Sequence, residues 1–534
     1  MRHSRSFYSA AVSLLVLVAF ASRSVSLDNQ SLWRDEVDAL CYAFEFPHLV
    51  AQALAPEAAG DLNTPCACPP PPLVQAGLFD ESVLRRLARI LGGMIRQNGP
   101  LYFFLLRGWV AVAGASEYSM RFFSLVCGVI CVPLVYVLGC RLFDRQTGLL
   151  AALLVTVSPY LTWYGQEVKM YTLVPALALL AIYGLRRAVE GRGWRWWAVQ
   201  VVATSLAFYS HILAALLIPV QALLCLVWWP QVRRRWAGAL VSLACLTLPY
   251  LPLVVWQAPQ VLQVRETGFY QYSLGEMVEI LLNGWSLGIT SRGWPWGAAL
   301  MGALAVWGLV SSLFHSPHLS PNRKGVRAGR NRLVLVCWLA TPLLAVWFVS
   351  LRQPLFTDRY LIWTAPAFYM LVALGLAALI GFGNWGRWVA VFLMSVVLVF
   401  DGVNLWQQAV EPLKSDFRAA AAYVADHHSS GELIIFQIPH SRYTFDYYFP
   451  DEEYPWADGL YTNHRAPGGS YLTSEQDVAS HMQGITAGYG TVWLVATETM
   501  MWDERGLVQT WLEANREQVD EAHSMRVDVY QYTK

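Results

Sequence analysis

Two adjacent carboxylates, Asp35 and Glu36, follow the first apolar segment of a strongly apolar chain, directly after Trp33 and Arg34. A carboxylate in such a place can serve as a general base that takes the proton from an incoming hydroxyl group. The plainer interpretation is that the charges solvate the end of a helix at a membrane surface. Asp35 is the candidate base, Glu36 its candidate catalytic support, and Arg34 a candidate substrate contact.

A second group of polar side chains ends a later apolar segment. The stretch from Ser158 to Tyr171 contains a proline and several aromatic residues, and Gln166, Glu167 and Lys169 stand just beyond its apolar part. This pattern is also typical of an aromatic belt with solvated charges at a membrane interface. The functional interpretation makes Glu167 a catalytic candidate. The candidate substrate contacts here are Tyr164, Gln166, Lys169 and Tyr171.

Isolated polar residues at other segment ends complete the set. These further candidate substrate contacts are Asn98, Tyr102, His211, Arg352 and Arg359. A lone histidine is more often a packed interfacial residue than a ligand, and Asn98-Gly99-Pro100 is also a turn signal. An arginine suits a phosphate because its planar guanidinium binds two oxygens at once. Carboxylates and cations together favour transfer to a hydroxyl group with departure of a phosphate.

An anion transporter would use similar residues. Transporters bury ionisable groups near the middle of the membrane, commonly within broken helices and internal repeats. The apolar segments of this chain contain little charge and no evident repeat. A transporter or flippase of an anionic or glycosylated lipid is therefore the alternative to an enzyme. A scaffold whose C-terminal part binds a partner is a third interpretation.

The composition is that of a membrane protein. Of the 534 residues, 56% are hydrophobic and 14% are charged, with a mean hydropathy of +0.37, whereas soluble proteins carry about 25% charged residues. The net charge of +1 gives no basic surplus for nucleic acid. Because the cysteines show no metal-ligand spacing such as C-x-x-C, we expect neither a structural metal nor a cofactor.

The apolar segments long enough to cross a bilayer lie at 7–27, 119–140, 147–163, 170–186, 196–210, 212–229, 237–256, 294–314, 333–350, 360–382 and 387–405. Arginine-rich connections recur at every second loop, at 141–145, 186–195, 233–235, 323–332 and around Arg387, as the positive-inside rule requires. The alternation holds only if residues 100–114 form a re-entrant or surface helix. We predict a polytopic α-helical protein of the cell membrane, with about eleven transmembrane helices in residues 1–410.

In this topology the loop 28–118 and the C-terminal residues 411–534 face the extracytoplasmic side. Residues 411–534 have short apolar runs that predict helices at 416–427, 474–485 and 503–516. They also predict strands at 432–437, 443–449, 491–497 and 525–532. Strands that alternate with helices indicate a soluble α/β domain with a largely parallel sheet. We expect this domain to be structural or to dock a substrate.

Several of these motifs, taken in order, resemble the GT-C glycosyltransferases of the family 39 type. That group includes protein O-mannosyltransferases and aminoarabinose transferases. The resemblance is strongest over about residues 30–215. It rests on Trp33-Arg34-Asp35-Glu36, on Asn98-Gly99-Pro100-Leu101-Tyr102, and on the stretches 114–121, 139–143 and 158–171. A later element, Asp358-Arg359-Tyr360, is also similar.

The resemblance implies a donor in which a sugar is linked to a polyprenyl phosphate, and a lipid, glycan or protein acceptor. It implies transfer at the extracytoplasmic face with inversion at the anomeric carbon. Asp35 would be the base, while Glu36 and Glu167 would shape the acceptor and sugar sites. The lipid phosphate would contact Lys169, His211 and Arg359.

The sequence departs from the family pattern at two motifs. Asn98-Gly99-Pro100 stands where His-Pro-Pro or Lys-Pro-Pro is common, and Gln166-Glu167 replaces a pair of acids. Both changes remove groups that would help a metal bridge the two loops. We therefore predict chemistry that does not depend on a metal.

Overall fold

The computed structural model describes residues 2–40, 43, 100–250, 270–289, 295–314, 323–449, 453–465 and 469–534. Contacts divide the chain into two compact units. Unit 1 comprises Met1–Leu27 and Met94–Val410, and unit 2 comprises Asp28–Gly93 and Glu411–Lys534. The sequence grouped residues 28–118 with the transmembrane module 1–410, whereas the contacts group Asp28–Gly93 with the C-terminal segment.

Unit 1 is helical in its described residues. Its main helices are α1 (Arg2–Ser24), α2 (Pro100–Ala113), α3 (Glu117–Leu142), α4 (Arg145–Val157), α5 (Pro159–Gly165), α6 (Leu173–Val189), α7 (Trp194–Ser210), α8 (Leu217–Val227), α9 (Trp236–Thr247), α10 (Leu274–Leu287), α11 (Pro295–Phe314), α12 (Arg323–Ser350), α13 (Ala365–Ile380) and α14 (Gly383–Val410). Short helical turns lie at Ile212–Leu216, Trp229–Val232, Arg233–Arg235, Leu248–Tyr250 and Asp358–Thr364.

Every apolar segment predicted to cross the membrane overlaps at least one of these helices. Among the described residues, five helices are long and apolar enough to cross, or up to seven if each bent pair counts as one span. Unit 1 therefore has the architecture of a multi-pass membrane protein, and about eleven crossings stays a prediction. Helix α2, with 14 residues, measures about 21 Å, which is shorter than a hydrocarbon core of about 30 Å.

Small residues allow the helices of unit 1 to approach closely. A Cβ atom at Gly308 in α11 would collide with the carbonyl oxygen of Leu371 in α13, and one at Gly375 would collide with that of Leu304. Gly139 and Gly148 make a similar contact between α3 and α4. Because lipid gives no hydrophobic drive for helix association, such close backbone packing supplies much of the attraction between helices.

Unit 2 contains a five-stranded sheet with helices on both faces. The strands are β1 (Leu433–Phe436), β2 (Trp456–Asp458), β3 (Thr491–Thr497), β4 (Glu517–Ser524) and β5 (Val527–Thr533), in the order β2-β1-β3-β5-β4. The helices are α15 (Phe417–His427), α16 (Ser441–Tyr448), α17 (Glu475–Thr486) and α18 (Leu507–Asn515), with a short turn at Thr499–Trp502.

Alternating strand residues build two apolar cores, one on each face of the sheet. Ile434 and Phe436 pack with α15 and α16 on one face. Leu433 and Ile435 pack with α17 and α18 on the other. The sequence prediction of an α/β fold is correct for this unit, because strand positions that alternate in direction are apolar on both sides.

Three details of the predicted α/β fold are wrong. The sheet is mixed: β1 pairs in parallel with β2 and β3, while β5 is antiparallel to β3 and β4. Residues 443–449 were expected to form a strand but belong mainly to α16, where Arg442 and Asp446 form an ion pair one turn apart, at 3.1 Å. The exposed edge strand β4 was missed because its sequence, Glu517 to Ser524, is polar.

Candidate active site

A break in a helix creates one candidate region, which lies in unit 1. Ser158 has an extended conformation because the residue before a proline is disfavoured in the helical region. As a result α4 and α5 meet at an angle of 56°. The Ser158 hydroxyl caps α5 by accepting from the Leu161 amide at 3.1 Å. It also lies 2.6 Å from the hydroxyl of Tyr369, which donates to the carbonyl of Trp285.

A set of side chains around the break forms the helix-break cluster, of which four members are buried and two, Asp358 and Arg359, are half-buried. Its members are Tyr164, Glu167, Tyr171, His211, Asp358 and Arg359. Tyr164 donates to Asp358 Oδ2 at 3.1 Å, and its ring meets that of Tyr171 edge-on, with centroids 5.3 Å apart. The charges of Glu167 and Arg359 both act on the Tyr164 hydroxyl. Glu167 is 1% exposed, so this carboxylate lies inside the protein and not in a solvated belt.

The helix-break cluster also contains the guanidinium of Arg359 and the imidazole of His211. The Arg359 guanidinium lies 5.9 Å from the ring centre of Tyr171, and the His211 and Tyr360 rings are 4.9 Å apart. His211 Nδ1 accepts from the Leu213 amide at 3.3 Å. Its buried Nε2 has no hydrogen-bond partner among the described residues. A buried imidazole nitrogen that lacks a hydrogen-bond partner is suited to contact a ligand oxygen.

Lys169 joins this region through its backbone. The Ser124 hydroxyl donates to the Lys169 carbonyl at 3.0 Å and lies 2.7 Å from the hydroxyl of Tyr102. The ammonium group of Lys169 stands 6.0 Å from the ring centre of Phe103. Tyr102, a predicted substrate contact, is fully buried. In the structure it supports the turn that carries Lys169.

Two buried arginines fix the backbone around the break. Arg23, at the end of α1, donates to the carbonyls of Val155 and Thr156 in α4 at 2.9 and 3.1 Å. Arg121, in α3, donates to the carbonyl of Leu27 at 2.9 Å. Gln166, also a predicted substrate contact, donates to the carbonyl of Arg23 at 2.9 Å. Gln166 and the two arginines therefore hold the framework of the helix-break cluster.

A separate candidate region is the acidic segment, residues 28–40 of unit 2, which is helical from residue 34. Glu36 is fully buried and forms an ion pair with Lys414, whose Nζ lies 2.9 Å from Glu36 Oε2. The Lys414 side chain is itself 4% exposed. Because an unpaired charge inside a protein is strongly disfavoured, each of these two residues requires the other.

Further hydrogen bonds hold the acidic segment to residues 411–448. The Gln30 amide donates to the carbonyl of Glu411 at 2.7 Å, and its oxygen accepts from the Leu413 amide at 3.0 Å. The Tyr448 hydroxyl accepts from the Leu32 amide at 2.7 Å. Arg418 donates to the carbonyl of Asp28 at 2.9 Å. The backbone on either side of Ser31 is thus fixed before the helix begins.

Asp35 differs from its neighbour because it is partly exposed. Arg34 and Asp35 both act electrostatically on His440, which follows β1. The pKa of His440 is lowered to about 4, first by burial and then by the charge of Arg34, while the charge of Asp35 opposes this shift. His440 is therefore neutral at pH 7.

The remaining candidates are placed less centrally. Arg352 is exposed in the turn after α12, and Asn98 lies outside the described residues. Asp358, Ser124 and Lys414 were missed as site residues. Asp358 adjoins the recognised Arg359, so its position was a usable signal, whereas Ser124 and Lys414 stand in no motif. Among the described residues, no group of three His, Cys, Asp or Glu side chains is placed to hold a metal.

Comparisons with known proteins agree with this architecture. Residues 97–256 match a sequence model of the family described as dolichyl-phosphate-mannose-protein mannosyltransferase. The structure is similar to that of ArnT from Cupriavidus metallidurans bound to undecaprenyl phosphate, with a TM-score of 0.53 and 14% identity over 97% of each chain. The apo form of ArnT matches with a TM-score of 0.53 and 13% identity, over 99% of this chain and 98% of that one.

A third solved structure, the Archaeoglobus fulgidus oligosaccharyltransferase with zinc and sulfate, has a TM-score of 0.50 and 13% identity. The match covers 78% of this chain and 61% of the oligosaccharyltransferase chain. No curated protein matches the sequence. At these identities the solved structures show a shared fold, and the family model covers the stretch that contains the helix break, Glu167 and His211. The predicted resemblance to the GT-C glycosyltransferases of the family 39 type is therefore confirmed.

Proposed function

We propose that the chain is a glycosyltransferase that moves a sugar from a polyprenyl-phosphate donor to an acceptor hydroxyl, with inversion, at the extracytoplasmic face of the membrane. One observation carries the proposal. The stretch that matches the mannosyltransferase family contains a buried carboxylate, Glu167, in a cluster with a guanidinium and an imidazole. Such a set suits a sugar phosphate better than it suits the solvated rim of a membrane helix.

The proposed reaction gives different tasks to residues of the acidic segment and of unit 1. Asp35 takes the proton of the acceptor hydroxyl while the oxygen attacks the anomeric carbon. The bond from that carbon to the phosphate oxygen breaks, and its electron pair leaves with the polyprenyl phosphate. Lys169 and Arg359 stabilise the charge that develops on the departing phosphate. Attack on the face opposite the leaving group inverts the anomeric centre.

The test is transfer by the purified full-length chain. The chain is incubated with a panel of polyprenyl-phosphate sugars and candidate hydroxyl acceptors, and mass spectrometry detects both the glycosylated product and the free polyprenyl phosphate. Asp35→Asn should lower turnover at least 100-fold, the lower range for a lost general base. The matched control is Asp28→Asn, an exposed acid of the same segment. Equal turnover of wild type and Asp35→Asn would refute the assignment of the base.

The flippase alternative makes a different prediction. A flippase moves the intact lipid across a vesicle membrane and produces no free polyprenyl phosphate. Translocation of the sugar lipid by the reconstituted chain, without a glycosylated product, would replace the proposal with that function.

The proposed orientation is tested separately by cysteine labelling in cells, in a variant that lacks the nine native cysteines. Glu475→Cys, exposed in unit 2, should react with an impermeant maleimide, and Trp194→Cys, exposed between Arg192 and Arg195, should not. If only Trp194→Cys is labelled, the orientation of the chain is opposite to the one proposed.

A further inference from the structure

A cavity of about 340 Å³ lies between the ends of four helices of unit 1, α6 to α9. Its walls are mostly apolar and include Trp197, Trp229, Trp236 and Ala222. The helix α7 runs from this cavity to Ser210, which precedes His211. Gln200 is the residue of this helix that lines the cavity nearest to His211, and the separation of 11 residues between the two positions spans about 16 Å. The cavity is therefore independent of the candidate active site and of the proposed function.

The polar side chains in the cavity wall satisfy one another. Gln200 donates to the side-chain oxygen of Gln221, and the Ser242 hydroxyl donates to the side-chain oxygen of Gln200. Gln221 in turn donates to the Thr204 hydroxyl at 2.8 Å. Because these groups already have partners, the cavity offers its occupant hydrocarbon contacts. This favours a lipid chain over a polar ligand.

The mouth of the cavity is basic. Val232 lines the cavity and is followed directly by Arg233, Arg234 and Arg235. Arg235 donates to the carbonyl of Val189 at 3.0 Å. Arg233 and Arg234 are exposed, and neither has an ion pair or a side-chain hydrogen bond within the described part of the chain.

The acidic side chain of Glu190, near this helix end, already forms ion pairs with other arginines. Arg141 and Arg186 both pair with Glu190, so that acid is not available to Arg233 and Arg234. Trp229 and Trp236 flank the two free arginines and are 51% and 63% exposed. Exposed tryptophans at a helix end are typical of the level of the lipid headgroups.

We propose that this cavity binds one acyl chain of an anionic phospholipid, with the lipid phosphate held by Arg233 and Arg234. Hydrocarbon walls, an aromatic rim and two unpaired guanidinium groups match the three parts of such a lipid. A phosphatidylglycerol molecule satisfies all three, whereas a zwitterionic lipid would bring its own cation to the arginines. Anionic lipids attract basic residues next to membrane helices in this way.

The first experiment measures lipid retention by native mass spectrometry of the full-length chain in detergent. Phosphatidylglycerol and phosphatidylcholine with identical acyl chains are titrated separately. In Arg233→Gln/Arg234→Gln, the affinity for phosphatidylglycerol should fall about 30-fold. The control Arg330→Gln/Arg387→Gln removes the same charge elsewhere in unit 1 and should retain the lipid. Equal retention by the two double variants, or equal binding of the two lipids by wild type, would overturn the proposal.

The second experiment fills the cavity without changing its charge. Ala222→Phe places a ring into the cavity, while Leu223→Phe, the adjacent residue that is not part of the wall, is the matched control. Only Ala222→Phe should reduce retention of phosphatidylglycerol. If both variants bind equally, no acyl chain enters the cavity. Displacement of phosphatidylglycerol by an equimolar polyprenyl phosphate would also contradict the proposal, because the occupant would then be the longer chain.

Discussion

The helix-break cluster and the acidic segment are positioned by different kinds of contact. In the cluster, a proline signal and a run of aromatic residues lie in one stretch of sequence, from Ser158 to Tyr171. In the acidic segment, the residue that neutralises Glu36 is 378 positions away, at Lys414. The first arrangement is built around one local stretch, to which His211, Asp358 and Arg359 are added, whereas the second is fixed by a buried charge pair and hydrogen bonds to residues 411–448.

This difference predicts how each region responds to substitution. A conservative change in the helix-break cluster should alter binding and leave the fold intact, because many packed side chains share the work of positioning. A change in the ion pair of the acidic segment should destabilise unit 2, because one partner is left charged and buried. Three substitutions test the contrast.

The largest effect is expected for Lys414→Met. Removal of one partner of a buried ion pair costs about 3–5 kcal/mol of folding free energy, because the buried Glu36 carboxylate loses the ammonium group 2.9 Å away. Resistance of the detergent-solubilised full-length chain to proteolysis at rising temperature reports this loss.

The double variant Glu36→Gln/Lys414→Met serves as its control. It removes both charges and should regain most of the lost stability. A single variant as stable as wild type would show that the pair does not hold the segment. If the double variant is stable but transfers slowly, the pair is also needed to orient Asp35.

A smaller effect is expected for Arg359→Lys, in the helix-break cluster. Lysine keeps the charge but loses the planar fork that binds two phosphate oxygens, so the donor KM should rise about tenfold with a smaller change in kcat. Arg352→Lys, at an exposed position, should raise KM less. If the two substitutions raise the donor KM equally, Arg359 is not the arginine that binds the donor phosphate.

The smallest effect concerns pH. The pKa of His440 is about 4 in the folded chain and 6.5 when unperturbed. The unfolded chain therefore binds more protons between these values, and His440 makes stability fall as the pH drops from 6.5 towards 4. His440→Gln should weaken this fall, as measured by thermal melting between pH 7 and pH 4.5. An unchanged slope would contradict the burial of a neutral imidazole beside Arg34.

The same contrast explains what could be predicted from the sequence. The stretch 158–171 was recognised as a candidate site because Pro159, the aromatic residues and Glu167 are adjacent, so one local pattern contains both the helix break and the candidate catalytic residue. The helices of unit 1 were located because apolar segments of sufficient length form helices in lipid. The partner of Glu36 was not predicted, since no local pattern distinguishes Lys414 from a solvated lysine.

Unit 2 shows where local patterns mislead. Tyr443, Phe445 and Tyr447 alternate as in a strand, yet the buried residues of α16 include Ser441, Thr444 and Phe445, which follow a helical spacing. The strand β4 is polar along its length and forms only because β5 offers it a free edge. In both places tertiary packing decides the structure, and intrinsic propensity does not.

The Glu36–Lys414 pair also sets an order of events during synthesis. Glu36 leaves the ribosome early, whereas Lys414 follows only after every helix of unit 1 has been made. Until then Glu36 lacks its ion pair with Lys414, and the acidic segment lacks its hydrogen bonds to residues 411–448. The candidate base Asp35 is thus assembled last, so a chain whose synthesis stops among the membrane helices would carry the complete helix-break sequence and still lack an ordered base.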